Sequence, residues 1–470
     1  MSFPMLRTQW PVWKNAVFRT LSGSGLSMMR RCVPPSWRRD IRGVFERSIH
    51  RGFEFVRSDE WQEYSVVPVA EFPGADVNVS PAISVPLPAL DLYGYFSRWL
   101  GLGECARLFA HALIVSGSPV ALHDVDIDIP HQRRDHTLTE YFSGSPVSGN
   151  DLFFINPDYW EMALRSMGGY RHGRCTMGYW FWELERFPES WVPVFDQVDK
   201  ILVSSTFVEQ AVRHVCEKPV VRVPIPLVAR AGSGLQRQHF GLSDDDYVFL
   251  CSYDFSSTIA RKNPRAVIEA FRRAFPSGTE KVCLLLKSSN GQQYPECLID
   301  LARQAGDDRR ILVRDDMLER DDLWALQRCC DAYVSLHRCE GFGLGMAEAM
   351  CLGKPVVATA YSGNMDYMTT ANSCLVDYRM IPVHEGEYPY ANGQQWADPD
   401  VGHAALHMRH LYEDRAWGRG LGTQAAVDMA RDFSIEVAIR ALAGCLRQTP
   451  GELQGKPEPG ALLYDNQRAS

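Results

Sequence analysis

Two glutamates, Glu340 and Glu348, stand on either side of a glycine-rich stretch in the last third of the chain. Seven residues separate them, and three of the seven are glycines, namely Gly341, Gly343 and Gly345. Glycines let a backbone approach a ligand closely, and the unpaired N–H groups at the start of a helix attract phosphate. The spacing therefore predicts an anionic ligand above this loop, with a carboxylate on each side.

Arg261 and Lys262 are a second pair of residues that could bind an anionic ligand. They lie in a polar loop after an apolar run and just before a helix predicted to begin at Pro264. Cations are unfavourable at a helix N-terminus unless an anion is present. An arginine fork beside a lysine charge suits a diphosphate, so these residues are predicted to face the same ligand as the glutamates.

The elements that must position these residues form an α/β pattern. Apolar patterning predicts a buried strand over 332–336, a helix over 346–352 and a second buried strand over 355–359. Such units build doubly wound parallel sheets, and ligands bind there in the crevice at the carboxyl ends of the strands. Both glutamates are therefore expected to face that crevice.

The pair Glu340 and Glu348, with GFGL between them and EAMCLGKPVVAT after them, resembles the signature of the group 1 glycosyltransferases, also called glycosyltransferase family 4. The resemblance implies the GT-B fold, in which two Rossmann-like doubly wound domains face a central cleft and a C-terminal helix crosses back to the first domain. The segment RKNP resembles the family's phosphate-binding basic pair, although Arg261 lies directly beside Lys262 rather than several residues before it.

The resemblance also implies roles for single residues. Glu348 would hold the ribose hydroxyls of a nucleotide-sugar, and Glu340 with the neighbouring backbone would hold the sugar. The catalytic candidates are Glu340, Arg261 and Lys262. The donor-binding candidates are Gly341, Phe342, Gly343, Leu344, Glu348, Ser252 and Lys287. Because the helix N-terminus and the cations can stabilise the leaving diphosphate, we expect no metal and no cofactor beside the nucleotide-sugar substrate.

The amino-terminal half resembles the first domain of a subset of the same family. In GLGECARLFAHALIVSG, the resemblance places Gly101, Gly103 and Glu104 at the acceptor and the donor phosphates. Many family members have a histidine near the sugar where this chain has the segment GYWFWE. Trp180 and Glu183 in that segment are the remaining acceptor-side candidates, although core packing is the commoner role of a tryptophan.

Two other interpretations of this half remain open. Gly101, Gly103 and Ala106 match a dinucleotide-binding fingerprint, although the FSRWL segment before them is not typical of a buried strand. Three alternating aspartates could hold a metal next to a pyrophosphate, but aspartates alternating with apolar residues are more typical of a solvated strand face. These aspartates are Asp124, Asp126 and Asp128.

The 470 residues are too many for one hydrophobic core, so two domains with extensions are expected. The predicted division has a basic extension over 1–60, an acceptor-side domain over 61–230, a nucleotide-sugar-binding domain over 231–433, a crossover helix over 434–448 and a flexible tail over 449–470. Helices are predicted around 403–413 and 420–432. The aromatic segment 378–400 is predicted to be irregular.

Charge is distributed unevenly along the chain. Residues 1–57 carry eleven Lys or Arg and three Asp or Glu, a balance of +8, against −8 for the whole chain. With aromatic residues interleaved, this arm suits either contact with an anionic membrane surface or a simple surface extension. Nucleic acid is disfavoured because the acidic remainder would repel it. Thirteen cysteines without a secretory signal favour a reducing, cytoplasmic location. The basic arm would allow contact with the inner membrane face.

The resemblance implies a retaining hexosyltransferase that moves a sugar to a saccharide or lipid-linked saccharide acceptor. The habits of the family, together with the basic arm, suggest surface polysaccharide biosynthesis. Two alternatives remain. A glycoside hydrolase could use Glu340 and Glu348 as its carboxylate pair, but it would need no phosphate site. A glycan- or nucleotide-binding protein without catalysis would keep the same residues.

Overall fold

A computed structural model describes residues 87–129, 131, 135–168 and 173–447. The predicted basic extension and the predicted tail therefore lie outside the described residues. Within the described residues, no helix combines the length and the apolar character needed to cross a membrane.

The amino-terminal domain contains a parallel sheet built from short, mostly buried strands. They are β1 (Leu90–Gly94), β2 (Val120–Asp124), β3 (Asn150–Phe153), β4 (Cys175–Trp180), β5 (Lys200–Val203) and β6 (Val220–Arg222). Their spatial order is β2-β1-β3-β4-β5-β6. The helices of this domain are α1 (Gly101–Val115), α2 (Trp160–Ser166) and α3 (Thr206–Arg213).

The second domain is another parallel sheet with helices between its strands. The strands are β7 (Tyr247–Asp254), β8 (Val282–Ser289), β9 (Ile311–Asp315), β10 (Ala332–Ser335), β11 (Val356–Thr359) and β12 (Cys374–Val376). The helices are α4 (Ile259–Lys262), α5 (Pro264–Ala274), α6 (Pro295–Ala305), α7 (Arg320–Cys329) and α8 (Leu344–Cys351). The order β12-β11-β10-β7-β8-β9 reverses between β10 and β7. That reversal point is where a ligand crevice opens in such sheets.

The remaining elements follow the second sheet. They are β13 (Tyr378–Pro382), β14 (Gln395–Pro399), α9 (Val401–Glu413), α10 (Arg415–Asp432) and α11 (Ile435–Arg447). Strands β13 and β14 pair antiparallel, so the prediction of an irregular segment over 378–400 is wrong for its two ends. The pairing was missed because a long aromatic loop separates the strands, and short turn signals are what reveal a hairpin in a sequence.

Short 3₁₀ turns connect several of these elements. They span Thr139–Tyr141, Pro157–Tyr159, Glu189–Gln197, Arg237–Phe240, Phe255–Ser257, Gly291–Gln293 and Gly363–Asp366.

The last helix lies against the first domain. It packs on α1, and Lys200 Nζ, at the start of β5, donates a hydrogen bond of 2.5 Å to the carbonyl of Cys445. The backbone N–H of Leu227 donates to the carbonyl of Phe433 at 2.8 Å. The chain therefore returns to its amino-terminal half, as the resemblance implied for a GT-B protein.

The βαβ unit around the glutamates matches the prediction closely. β10, α8 and β11 begin and end within two residues of the predicted bounds. Local signals decide this region because the apolar runs are contiguous and the glycines mark the loop. Together the two parallel sheets, each with the reversal typical of a doubly wound domain, form the GT-B architecture.

Candidate functional site

Glu340 and the start of α8 lie at the carboxyl ends of β10 and β7. Glu340 follows β10, and the next turn ends at Gly343, whose φ of +91° is a left-handed conformation. A side chain at this position would be strained. That glycine turns the chain so that α8 begins at Leu344 beside the end of β7.

Glu340 forms ion pairs with both members of the basic pair. Arg261 Nη1 lies 3.0 Å from Oε2 of Glu340, and Lys262 Nζ lies 2.5 Å from Oε1. Burial alone would raise the pKa of Glu340, but Arg261 and Lys262 hold it down to about 2. Glu340 is therefore a carboxylate at neutral pH and has no proton to donate.

A polar cavity of about 440 Å³, including space open to solvent, lies in front of this cluster. Lys262, Glu340 and Ser252 line one part of it, and the first turn of α8 lines another. The first N–H groups of an α-helix have no partner within the helix, so the amides of Leu344 and Gly345 are donors at this cavity. One cation and two helix amides make it suitable for a phosphate group.

Arg261 lies behind Glu340 rather than in the cavity lining. Only 4% of its surface is exposed, and it donates to the carbonyls of Cys339 and Ser257 at 3.0 and 3.2 Å. The ring of Tyr388 lies 5.7 Å from its guanidinium carbon. In this arrangement Lys262 is the member of the pair that lines the cavity, and Arg261 holds Glu340 in place.

The residues between Glu340 and α8 are held by the protein itself. Ser205 Oγ, in the first domain, donates a hydrogen bond of 2.6 Å to the carbonyl of Gly341. The Phe342 ring is buried against Tyr367 and Phe433. Its side chain therefore belongs to the core and is not available to a ligand.

Glu348 is 2% exposed and is paired with a residue that sequence reasoning missed, Arg320. Arg320 lies at the start of α7, and its Nη2 donates a hydrogen bond to Oε1 of Glu348. Gln327, on the same helix, donates from Nε2 to Oε2 of Glu348 at 3.1 Å. Two side chains of α7 therefore orient the carboxylate that the resemblance assigns to the ribose.

Arg320 also contacts Glu104 on α1 of the first domain, with 2.9 Å between Nε and Oε1. Arg107 Nη2 donates to Oε2 of the same carboxylate at 2.9 Å. Burial would raise the pKa of Glu104, but Arg320 and Arg107 lower it to about 2. We call this interdomain contact, formed by Glu104, Arg320 and Glu348, the ion bridge.

A second cavity, of about 740 Å³ including open solvent, lies between the domains beside the ion bridge. Gly101 and Glu104 line it from the first domain, and Lys287 and Arg320 line it from the second. Leu344 lines both cavities, so the two adjoin at the start of α8. They form a cleft between the domains.

Lys287 lies at the wall of the second cavity but its ammonium group is already engaged. It donates to the carbonyls of Ser288 and Asp316 at 2.7 and 2.6 Å. Burial lowers the pKa of Lys287, while the carboxylate of Asp316 opposes that shift. Its position fits support of the loop after β9 better than direct contact with a phosphate.

The four remaining acceptor-side candidates separate into two pairs. Gly101 and Gly103 lie at the start of α1, where a Cβ on Gly103 would come 2.5 Å from the carbonyl oxygen of Tyr95. Glycine there lets α1 pack close to the loop that follows β1. Trp180 is fully buried in the aromatic core, so it presents no surface to a sugar. This position does not agree with the acceptor-side role predicted for Trp180.

Glu183 accepts a hydrogen bond of 2.6 Å from the hydroxyl of Tyr388, which belongs to the loop between β13 and β14. It therefore joins the two domains next to Arg261 rather than lying open in the cleft. Sequence reasoning missed Tyr388 as well as Arg320. An isolated tyrosine or arginine forms no periodic pattern in the sequence, so no sequence signal identifies either residue.

Two of the three alternating aspartates, Asp124 and Asp126, engage neighbouring groups of the protein. Asp124 accepts a hydrogen bond of 3.0 Å from the backbone N–H of Ser97, and Asp126 pairs with Arg98 at 3.0 Å. Among the residues that the structure describes, no group of three or more His, Cys, Asp or Glu has an arrangement that could hold a metal ion. The dinucleotide fingerprint at Gly101 follows a loop rather than directly following β1.

Comparisons with known proteins bear on both the fold and the second domain. HepE from Anabaena, solved in complex with UDP-glucose, superposes with a TM-score of 0.54 at 14% identity, over 76% of this chain and 99% of that chain. Sucrose-phosphate synthase from Thermosynechococcus elongatus gives 0.54 at 16% identity, over 77% and 98% of the two chains. No curated protein sequence is significantly similar to this chain.

Residues 235–377 match the family described as "Glycosyl transferases group 1". This range contains Lys262, Glu340 and Glu348 together with the whole of the first cavity. This part of the chain is therefore similar to the group 1 glycosyltransferases, and the chain as a whole shares the GT-B architecture.

Proposed function

We propose that the protein is a retaining glycosyltransferase that moves a sugar from a nucleotide-sugar to a saccharide or lipid-linked saccharide acceptor in surface polysaccharide biosynthesis. One observation supports the proposal most strongly. Lys262, the ionised Glu340 and the amides at the start of α8 converge on one cavity, at the edge of the second sheet that faces the first domain.

In this proposal the donor lies along the cleft. Its diphosphate binds to the first turn of α8 and to Lys262, and its ribose hydroxyls donate hydrogen bonds to Glu348. The sugar then lies near Glu340 and the backbone of Gly341. A carboxylate held at a pKa of about 2 accepts hydrogen bonds from sugar hydroxyls throughout the neutral range.

Departure of the nucleoside diphosphate builds negative charge on its oxygens. The helix amides of Leu344 and Gly345 and the ammonium of Lys262 stabilise that charge as it develops. These groups are already oriented by the fold, so little reorganisation is required at the moment of reaction. In this proposal, the two helix amides and Lys262 therefore stabilise the leaving group.

The acceptor hydroxyl approaches from the first domain. Attack on the face from which the diphosphate departs retains the anomeric configuration. Contacts between the domains limit access of water to the sugar, which reduces wasteful hydrolysis.

A glycoside hydrolase is disfavoured by the electrostatics of the same cluster. Such an enzyme needs one carboxyl that is protonated at working pH and donates to the leaving oxygen. Arg261 and Lys262 hold the pKa of Glu340 at about 2, and Glu348 is hydrogen-bonded to Arg320 and Gln327. Glu340 therefore does not supply that acid, and both oxygens of Glu348 already accept hydrogen bonds from these two side chains.

A donor panel tests the proposal. The protein is incubated with UDP-, GDP- and dTDP-sugars, and nucleotide release is measured with and without saccharide acceptors. Release that requires a nucleotide-sugar and gives a product of unchanged anomeric configuration by NMR is the expected result. Turnover of a glycan without nucleotide would favour a hydrolase, and binding without turnover would favour a silent binding protein. Loss of activity with a chelator would contradict metal-independent transfer.

We also propose a cytoplasmic location in which the basic residues 1–60 contact an anionic membrane surface. The support is the charge balance of +8 over residues 1–57. Sedimentation of the full chain with vesicles containing phosphatidylserine, compared with a chain that lacks residues 1–60, tests this. Equal sedimentation of the two chains would contradict the role of the arm.

A further inference from the structure

The ion bridge contains a residue with no assigned role in glycosyl transfer, Arg320. We infer that Arg320 is a positioning residue that couples helix α1 of the acceptor-side domain to the nucleotide-binding carboxylate Glu348. The inference rests on the proposed function, because it takes Glu348 to be the group that receives the ribose.

The contacts of Arg320 support a coupling role. Its guanidinium reaches Glu348 through Nη1 and Nη2 and reaches Glu104 through Nε. The Trp324 ring lies 5.4 Å from its guanidinium carbon, so the side chain is held from a third side. One planar cation with several donors can grip two carboxylates at once, which a lysine ammonium cannot do with the same geometry.

Both carboxylates that contact Arg320 are buried. Glu348 and Glu104 are 2% and 6% exposed, so water cannot stabilise the negative charge of either one. Removing one partner from a buried ion pair leaves an uncompensated charge. Without Arg320, Glu348 would retain Gln327 as a neutral donor but would lose its cation.

The bridge also links binding to domain position. Glu104 belongs to α1, whereas Arg320 and Glu348 belong to α7 and α8. Any movement of the first domain away from the second would pull Glu104 from Arg320. Because Arg320 also pairs with Glu348, its position against that carboxylate is influenced by the position of the first domain.

The test uses the full chain and measures binding of UDP, GDP and dTDP by calorimetry, with the tightest of the three taken as the probe. Arg320→Met is expected to weaken binding of the probe by about tenfold to a hundredfold, as happens when the partner that orients a binding group is removed. Arg320→Lys should give an intermediate affinity. Wild-type affinity in both variants would overturn the inference.

The conservative variant separates positioning from a merely structural role. Arg320→Lys keeps a cation beside Glu348 and Glu104, so its probe affinity should be higher than that of Arg320→Met. Equal affinities in the two variants would contradict the assigned role.

Glu104→Gln supplies the second variant and keeps the inference testable if Arg320→Met does not fold. It leaves the contact between Arg320 and Glu348 in place but removes the charge in the first domain. Probe affinity should fall by about threefold to tenfold, within the range expected for coupling between sites. In the double variant the loss should be smaller than the product of the two single losses. Independent losses would show that α1 and Glu348 are not coupled.

The outcomes also distinguish this inference from the proposed function. Wild-type protein that binds none of the three nucleotides would contradict the proposed function itself. Wild-type protein that binds one of them, with unaffected Arg320 and Glu104 variants, would contradict only the role of Arg320.

Discussion

Two of the regions that join the domains of this protein do so by different physics. The ion bridge uses one guanidinium between two buried carboxylates. The other region, which we call the aromatic contact, packs the loop between β13 and β14 against residues 181–191 of the first domain. Trp191 lies at its centre, and its Nε1 donates to the hydroxyl of Tyr390 at 3.1 Å.

The aromatic contact is mostly apolar. Trp182 lies within 5.0 to 6.1 Å of four other rings, namely Phe187, Trp191, Tyr388 and Tyr390. Burial of apolar surface is non-directional and tolerates small shifts, whereas a buried ion pair requires good geometry to offset desolvation. The aromatic contact therefore suits permanent attachment, and the ion bridge suits a contact that responds to occupancy of the cleft.

The largest expected effect is at the aromatic contact. Trp191→Ala removes a 5%-exposed side chain and should lower the free energy of unfolding by about 3 to 5 kcal/mol, measured by urea denaturation. Tyr141→Ala, at a residue 37% exposed, is the matched control and should change it by about 0.5 kcal/mol or less. Nucleotide affinity of folded Trp191→Ala should change far less than that of Arg320→Met. A larger loss of nucleotide affinity in Trp191→Ala than in Arg320→Met would contradict the different roles given to the aromatic contact and the ion bridge.

Lys262→Ala tests the first cavity, which Lys262 lines together with Glu340. The loss of one charged donor at the leaving group should lower kcat/KM for the nucleotide-sugar by about 100-fold to 1000-fold. Lys281 is the control because its side chain is 67% exposed and pairs with Asp245 at the surface. Steady-state kinetics of Lys281→Ala should match the wild type. Equal kinetics for the two variants would remove Lys262 from the site.

Acid should weaken the ion bridge before it affects the aromatic contact. The pKa of Glu104 is about 2 in the folded protein, below its ordinary value of 4.5, so its contribution to stability is present above pH 4.5 and lost as pH falls toward 2. Glu340 behaves in the same way. Urea-unfolding free energies between pH 6 and 3 should therefore fall less steeply in Glu104→Gln than in the wild type.

Glu413→Gln is the control for the acid series because the Glu413 side chain is 55% exposed. Its free energy of unfolding should follow the wild-type curve at every pH. If Glu104→Gln also followed the wild-type curve, Glu104 would not be a strongly paired carboxylate, and the ion bridge would contribute nothing to stability.

The smallest expected effect is at the polar part of the aromatic contact. Tyr388→Phe removes the hydroxyl that donates to Glu183 at 2.6 Å. The free energy of unfolding should fall by about 1.5 kcal/mol, the low end for a hydrogen bond to a charged group, because the half-buried Glu183 regains water. Tyr141→Phe serves as the control. A loss as large as that of Trp191→Ala would show that the hydroxyl, rather than the rings, holds this contact.

Local sequence predicted the second domain best. The strand, glycine loop and helix around Glu340 follow one another without interruption, so periodicity and glycine placement were sufficient to locate them. The proximity of Lys262 to Glu340 was also predictable, because both follow strands that end at the same edge of a parallel sheet.

The same reasoning was less successful where a side chain had more than one plausible environment. Arg261 was predicted to grip a diphosphate, but it lies behind Glu340. Trp180 was predicted at the acceptor, but it is fully buried. A basic or aromatic residue at a strand end suits both a ligand and the interior, and only its neighbours from distant parts of the chain decide between them.

The amino-acid sequence by itself determined the two doubly wound sheets, the glycine loop and the carboxylates and cations beside it, because these depend on patterns within short segments. Tertiary structure alone decided which of those charges face the cleft and which hold one another in place. Arg320 became part of the site only when α1, α7 and α8 were brought together. No local pattern encodes that meeting, because its energy comes from burying charges that are far apart along the chain.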